Sequence, residues 1–331
     1  MTSEQHPEHM FRRFAGTFTA DEHPDLVLMS GGEVMLRPEL VKDIANTARA
    51  VGARSYALSG MFFARKPRIA APIRAAIDAL DHFSASLDVF HEEEVSRAQV
   101  FRVLHELIDD GKDVSIQLTG LGADDPYLAD ITTAVRREFD DRVPMLVAPL
   151  APTGRAEQWL TRPAAAAHPH PQTTLPAPCW LSAWPVIGFD GQVTSCGNQD
   201  VMDGKVPLPP HLYLGHIRTD DWATIKERCL ASPMVRAVRT YGPYYLAERF
   251  GDELACDGYC QTCWKLSGDA ATPARIKEFE LLPATRAVED TALRMARQAG
   301  PLSFARRFGI TRYADLVSLG YSATREVAWS D

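Results

Sequence analysis

Asp25-Leu26-Val27-Leu28-Met29-Ser30-Gly31-Gly32-Glu33 decides how the first half of this chain reads. Asp25 to Met29 is nearly continuous aliphatic, the pattern of a parallel strand covered on both faces, and it ends in the polar turn Ser30 to Glu33. Pro38 then suits a helix N1 position. Leu40, Val41, Ile44 and Ala48 share one face of that helix, and Gly52 closes it. The unit repeats. Ser55 to Leu58 reads as a strand ending in Ser59-Gly60, Ile69 to Leu80 as a helix, and His82 to Asp88 as an alternating strand that ends in a carboxylate. Val95 to Asp109 is helical with Gly111 as its stop, and Asp113 to Leu118 is a strand ending in Thr119-Gly120. Tyr127 to Phe139 is helical, and Pro144 to Leu150 is a fifth strand running into Pro152-Thr153-Gly154-Arg155-Ala156. Strands alternating with helices of this length predict an α/β protein built of βαβ units, with a parallel sheet that curves as a partial (β/α) barrel. Polar residues fall just past the C-terminal end of each strand, the side on which such sheets build their sites.

With 331 residues and 46% apolar content the chain can bury a large core, in one large domain with an appendage or in two domains. A formal charge of −8 argues against a general nucleic-acid or anionic-membrane surface, so a small-molecule or peptide substrate fits better. No apolar run approaches the ~20 residues of a membrane-spanning helix, and Met1 to Glu8 lacks the basic-then-apolar pattern of a secretory signal. A cytoplasmic location is the expectation. The divisions predicted are an N-terminal helix or leader (1–23, with the amphipathic piece Met10 to Phe14), a partial barrel (24–162), a Pro/Ala-rich linker (163–176), a Cys-rich domain (177–268) and a helical C-terminal extension (269–331). The extension shows apolar spacing at Leu293, Ala296 and Phe304. His168 and His170 fall in the linker, where short His tracts sometimes bind metal; they are read here as solvated.

All six cysteines lie between Cys179 and Cys263, and five fall into short motifs: Cys179, Cys196 in a Gly191-x4-Cys spacing, and Cys256-x3-Cys260-x2-Cys263. Thiolates close over Zn²⁺ or an iron–sulfur cluster, and one backbone turn across a Cys-x2-Cys bite presents two sulfurs to one metal. The other reading is buried inert thiols or disulfides, since cysteine behaves as a small hydrophobe. Clustering, and a reducing location, favour metal. Trp184 to Phe189 and Gln192 to Ser195 read as a hairpin about Asp190-Gly191, which would set how Cys179 and Cys196 approach each other. Cys229 sits inside a helix from Trp222 to about Leu230, capped by Asp220 or Asp221, and is read as core.

Taken together, Ser30-Gly31-Gly32-Glu33, Ser84 to Asp88 and Pro152 to Ala156 resemble the radical S-adenosylmethionine enzymes. Cys179-x11-Gly191-x4-Cys196, Leu214-Gly215-His216-Ile217 and the closing cysteines resemble the SPASM or shorter twitch auxiliary-cluster domain that follows the barrel in many of them. The resemblance covers roughly residues 24 to 268. It implies that Gly31, Gly32 and Glu33 meet the methionine ammonium of S-adenosylmethionine, that Ser86 and Asp88 lie near its methionine or ribose groups, and that Gly154 lies near the adenosine. Asp88 has a second reading as a helix cap. The resemblance also implies an auxiliary [4Fe-4S] cluster on Cys179, Cys196, Cys260 and Cys263, with Cys256 as a fifth candidate; a four-thiolate zinc site is the rival.

The family's cluster-binding Cys-x3-Cys-x2-Cys loop precedes the Gly-Gly-Glu strand, and no cysteine precedes Cys179 here. Cys256 to Cys263 has that spacing but falls where the auxiliary domain closes. The resemblance therefore implies a barrel whose first strand and catalytic loop are missing, beginning in the helix that would follow them, with no radical chemistry expected from the chain as given. The expected function is an iron–sulfur-binding part of an oxidoreductase or of a peptide- or natural-product-modifying enzyme. The alternatives are a non-catalytic binding or partner module and a zinc-stabilised peptide-binding protein. A barrel open at the Asp25 to Met29 strand also predicts a protein partner covering that edge.

Overall fold

The computed structural model describes residues 8–150, 176–252, 254 and 258–320. They fall into two compact units, residues 19–151 with 299–331, and residues 1–18 with 152–298. Helix α1 (Glu8–Ala15) belongs to the second of these.

In the first unit the strands β1 (Leu26–Met29), β2 (Arg54–Ser59), β3 (His82–Leu87), β4 (Asp113–Gly120) and β5 (Met145–Pro149) are all parallel and lie side by side in chain order, as a curled half-barrel. The intervening helices are α2 (Pro38–Ala50), α3 (Ala71–Ala79), α4 (Val89–Glu94), α5 (Arg97–Asp109) and α6 (Pro126–Glu138). Alternation along each strand sorts the two faces. Ala57, Phe83, Ala85, Leu87, Ile116, Leu118 and Val147 join Val41, Ile77, Leu104 and Ile131 of the helices in one buried core. Each large aliphatic or aromatic side chain so buried contributes about 1.5–3 kcal/mol. The opposite face carries Tyr56, His82, Ser84, Ser115 and Gln117, which bond to one another: His82 Nε2 to Ser115 Oγ at 2.7 Å, Ser115 Oγ to Ser84 Oγ at 2.9 Å, and Gln117 Nε2 to the Tyr56 hydroxyl at 3.0 Å.

The five predicted strands are present. The helix expected over Val95 to Asp109 is present as α5, and the short helix α4 before it was not anticipated. Asp88 caps α4 directly after β3, Val95 is extended, and Ser96 with Gln99 forms a capping box that starts α5 afresh. The sheet's two edges differ. At β5, the Ile310 amide donates to the Val147 carbonyl (2.7 Å), and the 3₁₀ segment Thr311–Ser318 lies against the strand. At β1, among the described residues, only β2 pairs, and Leu26 and Leu28 are 41% and 46% exposed.

The second unit holds the antiparallel strands β6 (Val186–Ile187), β7 (Gln192–Thr194) and β8 (Tyr213–His216), in that order. The expected hairpin is β6–β7; Gly191 turns it at φ +91°, a conformation that costs glycine little, and its amide donates to Gly188 O (3.0 Å). Strand β8 was not anticipated. Around this sheet are α7 (Gln199–Met202), α8 (Trp222–Ala231), α9 (Pro233–Thr240), α10 (Pro243–Phe250), α11 (Tyr259–Lys265), α12 (Ala271–Glu280) and the start of α13 (Pro283–Phe308). Asp221 caps α8, accepting from the Thr224 amide at 2.9 Å, as one of the two residues expected to do so.

Two expectations are corrected. Helix α1 is not a barrel helix: Phe14 meets Phe18 and Phe18 meets Trp222 edge-to-face, each at 5.8 Å. Arg13 donates to Ile217 O (2.6 Å), and Thr17 Oγ1 accepts from the Trp222 amide (3.0 Å), so the apolar stripe of α1 finds its cover beside β8 and α8. The extension 269–331 is not one piece: Ile276 of α12 joins the core of the second unit with Phe279 packed against it, whereas the described residues 299–320 belong with the half-barrel sheet. The linker lies outside the described residues. Among the described residues, no helix is long and apolar enough to cross a membrane.

Candidate functional site

The strand-end residues come first. Gly31 and Gly32 follow β1 on an exposed turn, and a Cβ built on either meets nothing within 4 Å. Glu33 turns inward. Its Oε1 accepts from the Met35 amide and from Ser59 Oγ, and its Oε2 from the Gly60 amide, each at 2.9 Å. An ionised carboxylate offers about four lone-pair sites, so a single acceptor position remains, on Oε2. Asp88 caps α4 through Oδ1, which accepts from the amides of Phe90 (2.9 Å) and His91 (2.7 Å); its Oδ2 lies 2.7 Å from His91 Nδ1. Burial pushes the Asp88 carboxyl up, but the hydrogen bonds and charge of His91 outweigh it and hold the group below its ordinary value.

These residues share one neighbourhood. A Cβ on Gly60 would stand 3.1 Å from His91 Nε2 and 3.4 Å from Glu33 Oε2, so the ends of β1, β2 and β3 meet there. Ser86, half-buried on β3, faces Gln117 of β4 in register, and a pocket of about 210 Å³ opens past β3 and β4 between Asp88, Phe90, Thr119, Gly120, Tyr127 and Leu150. Gly154 lies outside the described residues. His91 and Ser59 were not singled out from sequence. For His91 a signal existed, since it follows Asp88 by three residues and so shares a helix face with the cap.

Four cysteines converge in the second unit from three separate segments. Cys179 leads into the 3₁₀ turn Trp180–Ala183, its amide donating to Val238 O (3.1 Å) and its carbonyl accepting from Ser182 Oγ (2.7 Å). Gly242, at φ +79°, lets α10 begin hard against the Ala177 carbonyl, where any Cβ would overlap that oxygen. Tyr259 also donates to the Ala177 carbonyl, at 2.6 Å. Cys196 leaves β7 with its amide on Thr194 Oγ1 (3.2 Å) and its sulfur accepting from the Asn198 amide (3.5 Å). Cys260 and Cys263 stand one turn apart on α11. Cys263 is part of the second unit's apolar core, and Cys179 and Cys196 pack against it.

Burial pushes all four thiols up, Cys196 to about 11 and Cys263 furthest. The charges of Cys179, Cys196 and Cys260 each raise Cys263 further, and Cys260 raises both Cys179 and Cys196; the four therefore lie within electrostatic reach of one another. Cys229 stands apart. Its sulfur sits 3.8 Å from Ser182 O, and it is 2% exposed inside α8, as expected of a core residue.

Thiols held protonated by burial are poor nucleophiles and poor redox sensors. Metal loading exchanges their protons for a cation, and the donor set matches the thiolate ligation of iron–sulfur clusters or zinc. Among the described residues, no three His, Cys, Asp or Glu side chains form a group that could hold a metal ion as they stand. Cys256, the fifth candidate, lies outside the described residues.

Sequence reasoning missed His211, whose Nε2 is 3.7 Å from Cys263 Sγ and whose Nδ1 is 2.9 Å from Ser267 Oγ. The fold and these sites define an α/β protein with a five-stranded parallel half-barrel and a separate unit in which one buried and three half-buried thiols lie within electrostatic reach of one another. The chain matches no protein family and no curated protein by sequence.

Proposed function

We propose that this protein is an iron–sulfur-binding relative of the radical S-adenosylmethionine enzymes, with a SPASM- or twitch-like unit that holds an auxiliary [4Fe-4S] cluster on Cys179, Cys196, Cys260 and Cys263. The proposal is carried by the electrostatic proximity of Cys179, Cys196 and Cys260 to Cys263, with Cys263 in the second unit's apolar core and Cys179 and Cys196 packed against it. When bound, such a cluster supplies electron transfer or stabilises the domain around it. Cys179 and Cys196 approach on short turns and Cys260 with Cys263 on one helix, so the protein's part is to position four sulfurs and exclude water from them. The half-barrel would hold S-adenosylmethionine at Gly31, Gly32 and Glu33, with Ser86 and Asp88 alongside, and a small molecule or peptide as substrate.

The test is anaerobic reconstitution followed by iron, sulfide and zinc quantitation and EPR of the reduced protein. About four irons per chain is the expected result, and one zinc without iron removes the cluster. Calorimetry with S-adenosylmethionine tests the strand ends: affinity unchanged by Glu33→Ala takes Glu33 out of that site.

One observation favours a second reading, a non-catalytic binding or partner module. Glu33 already accepts three internal hydrogen bonds, and both Asp88 oxygens are engaged within α4. No binding in the calorimeter alongside a fully loaded cluster is the result that selects this reading.

A further inference from the structure

His211 sits where it can act on the cysteine cluster without belonging to any of its motifs. It lies in the 3₁₀ turn Pro210–Leu212, immediately before β8, with Pro209 and Pro210 restricting the backbone on its N-terminal side. On the other side, Leu212 is 2% exposed and its carbonyl accepts from the Ser195 amide (2.9 Å), which ties the turn to the residue preceding Cys196. The imidazole bridges two partners on the α11 segment: Nε2 faces Cys263 Sγ at 3.7 Å, and Nδ1 faces Ser267 Oγ at 2.9 Å.

A neutral imidazole donates from one nitrogen and accepts at the other, and the partner on one side selects the tautomer on the other. A serine hydroxyl can donate to Nδ1, which leaves the proton on Nε2 and directs it at the sulfur. A cysteine that has given its proton to solvent on metal loading presents an acceptor there. Hydrogen bonds to cluster sulfurs are among the determinants of reduction potential, because they stabilise the more negative, reduced state.

We infer that His211 is a positioning residue for the cluster, donating from Nε2 to the Cys263 thiolate and raising the cluster's reduction potential, with Ser267 fixing its tautomer. This rests on the thiolate-cluster reading above. On that reading the histidine is a donor and not a fifth ligand, since four thiolates complete the cluster's coordination and the imidazole faces one of those sulfurs.

The full-length chain is reconstituted anaerobically with iron and sulfide as wild type, His211→Phe, His211→Gln and Ser267→Ala. Iron content is measured, and the cluster is titrated potentiometrically with EPR as the readout. All four proteins are expected to carry about four irons. The midpoint is expected to move to more negative potential in His211→Phe, to recover in His211→Gln, whose amide keeps a donor, and to shift less in Ser267→Ala. An unchanged midpoint in His211→Phe at full iron content overturns the inference. So does loss of iron in both His211 variants, which would make the histidine a ligand. If His211→Phe fails to fold, an unchanged midpoint in Ser267→Ala at full iron content overturns it equally. A wild-type chain that takes up no iron overturns the cluster reading itself, and that outcome appears before any variant is compared.

Discussion

The two candidate regions use polar groups in opposite ways. At the strand ends the carboxylates are satisfied from within: Glu33 joins the turn after β1 to Ser59 and Gly60 across 26 and 27 residues, and Asp88 closes α4. In the cysteine unit one buried and three half-buried thiols have their ionisation pushed up, and Cys263 has an imidazole rather than a hydrogen-bonding backbone group aimed at it. A carboxylate already engaged stabilises a turn; a set of buried, mutually repelling thiolates is stabilised by a cation they share. The first region holds its own shape; the second, on the proposed reading, is completed by a cluster.

Four measurements would break or sharpen that contrast. The largest effect is expected at Cys263, where Cys263→Ser should take reconstituted iron from about four per chain towards none, against Cys229→Ser retaining all of it. Equal retention in both would remove the distinction between cluster and core cysteines. Next, Gly242→Ala forces a Cβ onto the Ala177 carbonyl at a left-handed φ and should cost about 3 kcal/mol by urea denaturation, displacing the segment that leads to Cys179. Wild-type stability in that variant would show the Cys179 segment to be loosely held.

The third prediction turns on Glu280 of α12, a carboxylate that contrasts with those of the strand ends. It is 2% exposed, and its Oε2 lacks a hydrogen-bond partner among the described residues. The charges around it are Arg236 (Nη2 at 3.4 Å), Arg239, Arg286 and Glu289, while Glu289 itself takes Arg236 Nε on both oxygens at 3.0 and 2.9 Å. Burial raises its carboxyl to about 7, with Arg236 opposing and Glu289 adding to the rise. The folded state therefore binds this proton more tightly than the unfolded chain does. Stability should fall as pH rises from about 4.5 to about 7. Glu280→Gln should flatten that slope and stabilise the protein at pH 8 by on the order of 1 kcal/mol; a slope unaltered by the substitution would place the titration elsewhere.

The smallest effect is expected at the cap. Asp88→Asn keeps a capping oxygen but loses the charge facing His91, so it should cost less than about 1 kcal/mol at pH 7. Because the folded-state carboxyl is held below its ordinary value of 3.8, its contribution is complete above that pH and is lost as pH falls through the lower, folded value. Thermal melts of the two proteins should therefore converge in acid, and a gap that widens there would contradict the assignment.

Much of this architecture could be read along the chain. Aliphatic runs such as Leu26 to Met29 and alternating ones such as His82 to Leu87, each closed by polar or turn-forming residues, located the five strands, and the Asp190-Gly191 turn located the β6–β7 hairpin. The start of α5 was legible too, in Ser96-x-x-Gln99, whereas the single short turn of α4 carries too little apolar periodicity to announce itself. The seating of α1 was not legible. An amphipathic helix declares which face it buries and is silent about what covers it, and here the cover is Trp222, some two hundred residues on.

The cysteine motifs illustrate the same division. Local spacing was sufficient to set Cys229 apart and to group the other five, because a short bite between two sulfurs is a property of one turn of backbone. Glu33 looked like a ligand group because sequence shows its strand-end position but not Ser59 and Gly60 on the neighbouring strand. His211 had no motif at all; 52 residues separate it from Cys263. Element type, strand number and the list of candidate sulfurs follow from patterns within a few residues, where backbone geometry correlates side chains. Which carboxylates are consumed, which helix covers which face and which imidazole meets which thiol depend on packing between distant segments, and only the tertiary structure decides those.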